Sequence, residues 1–237
     1  MGKILRFLSL LTIFAFIVGC CSKKVPPLSV QRDIPINPRS VLFIGGGNIL
    51  TEQTISGSAI VVDSGPEWSW AISAGHVCYP EYTDNLVMLT EIWMMFGFNF
   101  DGEYEPIFMV ALDQDHDICV FRVPLGNLPA VPLAAKTPEI GEKVWLGAYP
   151  LGVYNPGHVP FFEGYYAGIL EGRASYTIPV TGGASGGGIV NKDGELVGIV
   201  SMALDGFENI TLVPKLENVQ TVLDVAKKHP ERLTIIR

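Results

Sequence analysis

The sequence predicts an all-β fold of two lobes that ends in one α-helix. Short apolar runs broken by turn residues follow one another from residue 41 onward, and apolar residues at helical spacing occur only near the end of the chain. The 26 glycines and 17 prolines are spread along the 237 residues, as a β-rich fold with many turns requires. Because 48 % of the residues are hydrophobic and 17 % are charged, the chain can bury a substantial core.

The first lobe is predicted to contain six short strands, each an apolar run bounded by turn residues. These strands lie at residues 41–46, 58–65, 68–73, 91–100, 101–113 and 117–123. The Asp101–Gly102 pair between the fourth and the fifth is a strong hairpin signal. Residues 124–132 carry three prolines and are expected to connect the two lobes.

The second lobe repeats this pattern and leads into the helix. Its strands are expected at 142–150 and 160–170, in a hairpin over 186–201 and at 210–214. The helix is predicted from apolar residues at helical spacing after Pro214. These are Leu216, Val219, Val222, Leu223 and Ala226.

The N-terminus has the pattern of a targeting segment. Two positive charges precede the apolar run at residues 7–18, which is too short to span a bilayer and has the length of a signal-peptide core. The run leads into Ile-Val-Gly-Cys, which resembles a bacterial lipoprotein processing site. This resemblance implies a signal peptide at 1–19 that is cleaved off before Cys20, a diacylglyceryl group on the Cys20 sulfur that anchors the protein to a membrane, and a tether at 20–39. An ordinary secretory signal that contains a cysteine is the alternative.

Charge and cysteine spacing limit the partners and cofactors. The formal net charge is −8 and no basic stretch is present, so a nucleic-acid partner is not expected. Cys78 and Cys119 lack the spacing of a metal site, and no metal or other cofactor is expected. In an exported protein these two cysteines can form a disulfide or remain buried thiols, and the sequence leaves both possibilities open.

A glycine-rich segment, TGGASGGGIV at residues 181–190, places one serine among five glycines. A phosphate-binding loop would need a lysine beside the serine and a helix after it, whereas a β-branched run follows here. Ser185 is instead a candidate nucleophile, which requires a base and a carboxylate to orient that base.

Of the four histidines, His76 has the best setting for that base, because it follows a buried strand and is flanked by small residues. A histidine in such a position is by itself more often a core residue than a catalytic one. Asp117 opens an apolar strand, where a carboxylate is costly unless a partner such as His76 hydrogen-bonds to it. The other histidines are predicted in a loop, a strand start and a helix end, at His158, His116 and His229.

Several segments resemble those of chymotrypsin-like serine proteases, in the same order along the chain. They are GSAIVVD with WAISAGHVC, HDICVFRV, GGASGGG and GELVGIVS. Two more segments, GEKVWLGAYPLG and EGYYAGIL, are similar to those of the bacterial Deg-type proteases. The resemblance covers residues 41–225. It implies two six-stranded antiparallel β-barrels, at 40–124 and 125–237, the second of which includes the terminal helix.

The resemblance implies peptide-bond hydrolysis through an acyl-enzyme. His76 would be the general base, Asp117 would orient it, and Ser185 would be the nucleophile. The backbone N–H groups of Gly183 and Ser185 would form the oxyanion hole.

The resemblance also implies a substrate pocket built from three wall segments. The residues assigned to it are Pro179, Gly182, Ser201, Met202, Ala203 and Ile210. Because no wall segment contains an aspartate or glutamate, a charged P1 side chain would lack a partner. The expected substrates are polypeptides with a small or medium apolar P1 residue.

Two departures from the family pattern keep other functions open. The residue before the nucleophile is usually aspartate or asparagine and here is Ala184, and the residue after SGG is Gly188. Taken with the lipoprotein pattern, the resemblance still predicts a membrane-anchored serine endopeptidase of the bacterial cell envelope, acting outside the cytoplasm. One alternative is a catalytically weak or inactive binding protein of the same fold. The other is an envelope lipoprotein with an unrelated β-barrel.

Overall fold

The computed structural model describes residues 34–48, 53–78 and 93–236, in which fifteen strands form two sheets. The first sheet contains β1 (Val41–Asn48), β2 (Thr54–Ser64), β3 (Ser69–Ala74), β4 (Trp93–Phe98), β5 (Tyr104–Pro106), β6 (Phe108–Asp113), β7 (Ile118–Val123) and β15 (Thr234–Ile236). The second contains β8 (Lys143–Gly147), β9 (Phe161–Leu170), β10 (Arg173–Tyr176), β11 (Gly188–Val190), β12 (Leu196–Ile199), β13 (Met202–Leu204) and β14 (Phe207–Val213).

The strand order confirms the predicted fold class. The first sheet runs β15-β6-β7-β3-β2-β1-β4-β5 and the second β12-β11-β8-β9-β10-β14-β13. Neighbouring strands are antiparallel except for the parallel pair of β15 and β6. Within the described residues the sheets hold eight and seven strands rather than six each. The additional ones are three-residue strands at sheet edges, namely β5, β13 and β15.

Each sheet curls around its own hydrophobic cluster. The first cluster includes the fully buried Leu42, Ile44 and Phe121, and the second includes Leu146 and Tyr176. Because the side chains of a strand alternate between two faces, the apolar face of each sheet turns inward onto its cluster.

The C-terminal helix α2, Leu216–Lys228, is present as predicted but packs against the first sheet. Val219, Val222, Leu223 and Ala226 are buried and the helix contacts β6 and β7, whereas Leu216 at its start packs against the cluster of the second sheet. Lys227 forms an ion pair with Asp63 of β2 at 2.5 Å. The following strand β15 pairs with β6. The helix therefore lies with the first lobe, whereas the sequence had grouped it with 125–237. The domain boundary at residue 124 stays a prediction.

The last residues of the predicted tether are folded. Pro38–Ser40 form a short 3-10 helix capped by the Asn37 side chain, and Arg39 pairs with Asp101 at 2.7 Å. The signal peptide at 1–19 and the lipidation site Cys20 lie outside the described residues. No helix in the described parts of the chain is long and apolar enough to cross a membrane.

Cys78 and Cys119 form a disulfide, which settles the alternative that the sequence left open. Their Cα atoms are 6.6 Å apart, and both residues are buried. The bond ties the short helix α1, Gly75–Cys78, to β7. It thereby joins the two segments that carry His76 and Asp117.

Candidate active site

The ends of the neighbouring strands β3 and β7 bring His76 and Asp117 together. Ala74 of β3 pairs with Ile118 of β7, so the residues just beyond this pair come from neighbouring strand ends. The single turn of α1 then exposes His76 while its neighbours stay buried. Asp117 has a φ of +59°, a left-handed conformation that aspartate tolerates better than most residues. As the sequence predicted for this pair, the two side chains are in hydrogen-bond contact.

The Asp117 carboxylate accepts hydrogen bonds from three groups. The backbone N–H of His76 donates to Oδ1 at 2.7 Å, and the ring Nδ1 of His76 lies 3.0 Å from Oδ2. The Ser201 hydroxyl also donates to Oδ2. Burial raises the pKa of Asp117, but the His76 ring, the Ser201 hydroxyl and the His76 N–H together outweigh it and lower the pKa below the usual value. Asp117 is therefore ionised at neutral pH.

Arg173 fixes the direction of the hydrogen bond from Ser201. Its Nη1 donates to the Ser201 hydroxyl oxygen at 3.2 Å. Because a guanidinium has no acceptor, the Ser201 oxygen must accept this bond, and its own proton is left for Asp117. The sequence assigned Ser201 to the substrate pocket. Its side chain instead is buried against Asp117, and only its backbone remains available to the proposed wall.

The loop that presents Ser185 depends on glycine at two positions. Gly183 and Gly186 both have a φ of +85°. A Cβ on Gly186 would lie 2.0 Å from the Ser58 carbonyl oxygen and 2.1 Å from the Ser73 hydroxyl. Ala184 packs into the hydrophobic cluster of the second sheet. The glycines that surround the serine in the sequence therefore allow a tight left-handed loop against the first sheet.

Ser185 and the His76 segment meet at Gly57. The Ser185 carbonyl accepts a hydrogen bond from the Ser58 N–H at 2.8 Å. A Cβ on Gly57 would lie 3.3 Å from this carbonyl oxygen and 2.7 Å from Val77, the residue after His76. Within the described ranges no hydrogen bond joins the Ser185 hydroxyl to His76. Catalytic hydrogen bonds are often long without substrate, so this geometry is compatible with a nucleophile and base pair.

The two backbone donors that the resemblance assigned to the oxyanion hole are both available. In the part of the chain that the structure describes, the N–H groups of Gly183 and Ser185 donate to no protein acceptor. Neighbouring N–H groups are paired, for example Ala184 with Thr181 and Gly186 with Val200. This pair of free donors in one loop marks a place where an anionic oxygen could be stabilised.

The other residues assigned to the substrate pocket flank this loop. Pro179, Gly182 and Met202 are exposed, while Ala203 and Ile210 are half-buried. The β13–β14 hairpin lies beside the 179–182 segment, because the Val180 N–H donates to the Glu208 carbonyl at 3.1 Å. Glu208 is an exposed acid that the sequence reasoning did not place near the pocket. The P1 preference itself stays a prediction.

The described residues offer no cluster of three His, Cys, Asp or Glu side chains that could hold a metal ion. Two functional candidates escaped the sequence reasoning. Arg173 lies in a strand of only four residues, and Ser58 lies at the start of the apolar run of β2, between Gly57 and Ala59. A hydroxyl at the start of an apolar strand, next to a glycine, was the available signal for Ser58.

Comparisons with known proteins agree with this fold. A family model described as a trypsin-like peptidase domain matches residues 57–199. A serine endoprotease from Yersinia pestis is 18 % identical, with a TM-score of 0.67 over 86 % of this chain and 69 % of that chain. The HtrA-type protease AlgW with a tripeptide is also 18 % identical, with a TM-score of 0.65 over 80 % of this chain and 60 % of that one. The active form of a protease from M. tuberculosis is 16 % identical, with a TM-score of 0.66 over 84 % of each chain. No curated protein matches the sequence.

Proposed function

Because this chain belongs to the family of trypsin-like peptidases, it is a serine endopeptidase, and we propose that His76, Asp117 and Ser185 are its catalytic triad. The observation that carries the proposal is the hydrogen-bonded pair of His76 and Asp117. Ser185 lies in a glycine loop held against the same sheet. Polypeptides are the substrates.

In the proposed reaction the Ser185 hydroxyl oxygen attacks the carbonyl carbon of the scissile peptide bond. His76 takes the hydroxyl proton on Nε2 and then gives it to the leaving amine, so the C–N bond breaks and an acyl-enzyme remains. Water then attacks the acyl-enzyme with His76 again as the base, which releases the acid and restores Ser185. Asp117 accepts the Nδ1–H of His76, which keeps Nε2 unprotonated and stabilises the imidazolium.

The negative oxygen of the tetrahedral intermediate would bind between the N–H groups of Gly183 and Ser185. A donor of this kind typically contributes about 2.7–4 kcal/mol to transition-state stabilisation. The loop has its shape before substrate binds, so the two donors need little reorganisation when the charge develops.

The proposal is tested by digestion of casein and of a peptide library with the wild type and with Ser185→Ala. The wild type should cleave and should react with a fluorophosphonate probe, whereas Ser185→Ala should do neither. A folded wild-type protein that neither cleaves nor becomes labelled would favour the alternative, an inactive binding protein. The apolar Ala184 before the nucleophile is the observation that favours this alternative.

The substrate pocket is proposed to prefer small or medium apolar P1 residues such as Ala, Val, Leu or Met. Its walls are Pro179, Gly182, Met202, Ala203 and Ile210, with the backbone of residue 201. Each fitting methylene is worth about 1–3 kcal/mol, so the preference should be graded. A cleavage profile dominated by Arg or Lys would contradict it and would point to Glu208 as a pocket acid.

A lipid on Cys20 is proposed to hold the enzyme at a membrane of the bacterial cell envelope, with the catalytic domain outside the cytoplasm. The support is the sequence pattern at residues 17–20, which resembles a lipoprotein processing site. The wild type should fractionate with membranes and Cys20→Ser should be released in active form. Wild-type protein found in the soluble fraction, or an inactive Cys20→Ser, would count against the anchor.

A further inference from the structure

Ser58 is a buried polar residue that hydrogen-bonds to the Ser185 loop, to the backbone of Tyr149 and to the Ser73 side chain. It is completely buried in β2, where a hydroxyl is costly without partners. Its N–H donates to the Ser185 carbonyl at 2.8 Å, and its hydroxyl donates to the Gly183 carbonyl at 2.9 Å. Its carbonyl accepts from the Ser73 hydroxyl at 2.7 Å. Ser58 of the first sheet thus hydrogen-bonds to the loop on both sides of Ala184.

The direction of the hydroxyl bond follows from the neighbouring donor. The Tyr149 N–H donates to the Ser58 hydroxyl oxygen at 2.9 Å. A backbone N–H can only donate, so the single proton of this hydroxyl is committed to the Gly183 carbonyl. The hydroxyl therefore connects the Tyr149 turn to the Ser185 loop in one fixed arrangement.

These bonds fix the peptide groups next to those that carry the two oxyanion donors. In a planar trans peptide the C=O and N–H groups point in opposite directions, so fixing the carbonyl also aims the N–H. The Gly182 carbonyl accepts from the Leu151 N–H at 2.6 Å, which orients the N–H of Gly183. The Ala184 carbonyl accepts from the Gly187 N–H at 2.9 Å, which orients the N–H of Ser185. Ser58 holds the peptide groups on either side of that one, through the carbonyls of Gly183 and Ser185.

The loop has no polar side chain of its own, at the position before Ser185, that could hydrogen-bond to these peptide groups. The residue before Ser185 is Ala184, which is buried and has no polar side-chain atom. A side-chain hydrogen bond that holds this part of the loop therefore has to come from outside the loop. Among the described residues, Ser58 is the one that supplies a hydrogen bond to the carbonyls on both sides of Ala184.

We propose that Ser58 is a positioning residue that aims the oxyanion donors of the Ser185 loop. The inference rests on the proposed catalytic role of Ser185. The oxyanion donors act on charge that develops in the transition state. Loss of the Ser58 hydroxyl should therefore lower kcat and leave KM nearly unchanged.

The test compares Ser58→Ala with Ser175→Ala as a matched control. Ser175 is also buried and also donates one hydroxyl bond to a carbonyl, that of Gly168 at 3.0 Å, in the β9–β10 hairpin. Steady-state kinetics on an apolar-P1 peptide are measured together with inhibition by a peptide boronate that mimics the tetrahedral intermediate. For Ser58→Ala we expect kcat to fall about 10- to 100-fold, less than the 10²–10³ that a deleted oxyanion donor costs.

Boronate affinity should fall in parallel with kcat in Ser58→Ala, whereas KM should change less than about threefold. Ser175→Ala should keep its kcat within about threefold of the wild type, whatever its loss of stability. If Ser58→Ala does not fold, Ser58→Cys is measured instead, since it keeps a weak donor at similar volume and should show a smaller fall.

An active wild type in which Ser58→Ala or Ser58→Cys matches Ser175→Ala in kcat would overturn this inference alone. A variant that changes only KM would do the same. A wild type that neither cleaves peptide nor reacts with a fluorophosphonate would overturn the proposed function and this inference with it.

Discussion

Replacing Asp117 with asparagine tests the hydrogen-bond network around His76. Three donors converge on the carboxylate, two from His76 and one from Ser201. An amide offers one acceptor oxygen and one donor nitrogen, so if the oxygen keeps the His76 N–H, the nitrogen faces the ring Nδ1 and the Ser201 hydroxyl. Donation to Nδ1 places the ring proton on Nε2, which then cannot accept the proton of Ser185.

We expect kcat to fall about 10⁴-fold in Asp117→Asn, as in triads where the wrong tautomer forms. At 1.36 kcal/mol for each tenfold change, this is about 5.4 kcal/mol of transition-state stabilisation. The assay is steady-state hydrolysis of a peptide substrate, with the folded fraction checked by thermal unfolding.

The first sheet supplies a matched control in Asp113. It accepts the His116 N–H at 3.0 Å and lies 2.9 Å from the His116 Nδ1, the same two contacts that Asp117 makes with His76. Asp113→Asn should therefore destabilise the protein similarly but leave kcat within about threefold. Asp117→Asn retaining more than a tenth of the wild-type kcat, or Asp113→Asn losing as much activity, would refute the reasoning.

Three further changes have defined outcomes. Gly183→Ala places a Cβ 2.6 Å from the Gly152 nitrogen at a φ of +85°, so kcat should fall about 10- to 100-fold, and an unchanged kcat would contradict the assigned loop geometry. The pKa of Asp117 is lower in the folded protein than its ordinary 3.8, so its stabilisation is present above about pH 4 and is lost as the pH falls through the folded value. Tm should therefore drop more steeply in acid for the wild type than for Asp117→Asn, and parallel curves would exclude this. Reducing the bond between Cys78 and Cys119, which are 41 residues apart, should lower the free energy of unfolding by about 2–4 kcal/mol in urea titrations, and an unmoved midpoint would argue against the bond.

The sequence predicted those elements whose local chemistry determines them. The Asp101–Gly102 pair marks a hairpin because Gly102 adopts a φ of +91°, and the helix follows from an apolar stripe that is buried. Strands β10, β13 and β15 were not predicted, since each has only three or four residues, too few for a pattern to stand out. Their pairing is decided by neighbouring strands, which a local pattern does not contain.

The candidate site divides in the same way. His76, Asp117 and Ser185 stand in recognisable segments, so sequence reasoning could nominate them. Ser58 acts on Gly183 across 125 residues of chain, and no spacing rule links such positions. Ser201 was assigned to the pocket and not to Asp117, because the sequence does not reveal which way its hydroxyl turns.

The return of helix α2 and strand β15 to the first sheet has a consequence for synthesis of the protein. The lobe that carries His76 and Asp117 is built from two separate stretches of chain, 41–123 and 216–236, with the second sheet inserted between them. On the ribosome the first lobe thus stays incomplete until residues 216–236 have emerged, because they supply the helix that covers β6 and β7 and the strand that pairs with β6. A nascent chain that contains the three proposed triad residues but not residues 216–236 would still lack the helix and the strand that pack on β6, and proteolytic activity would be delayed until those residues have emerged.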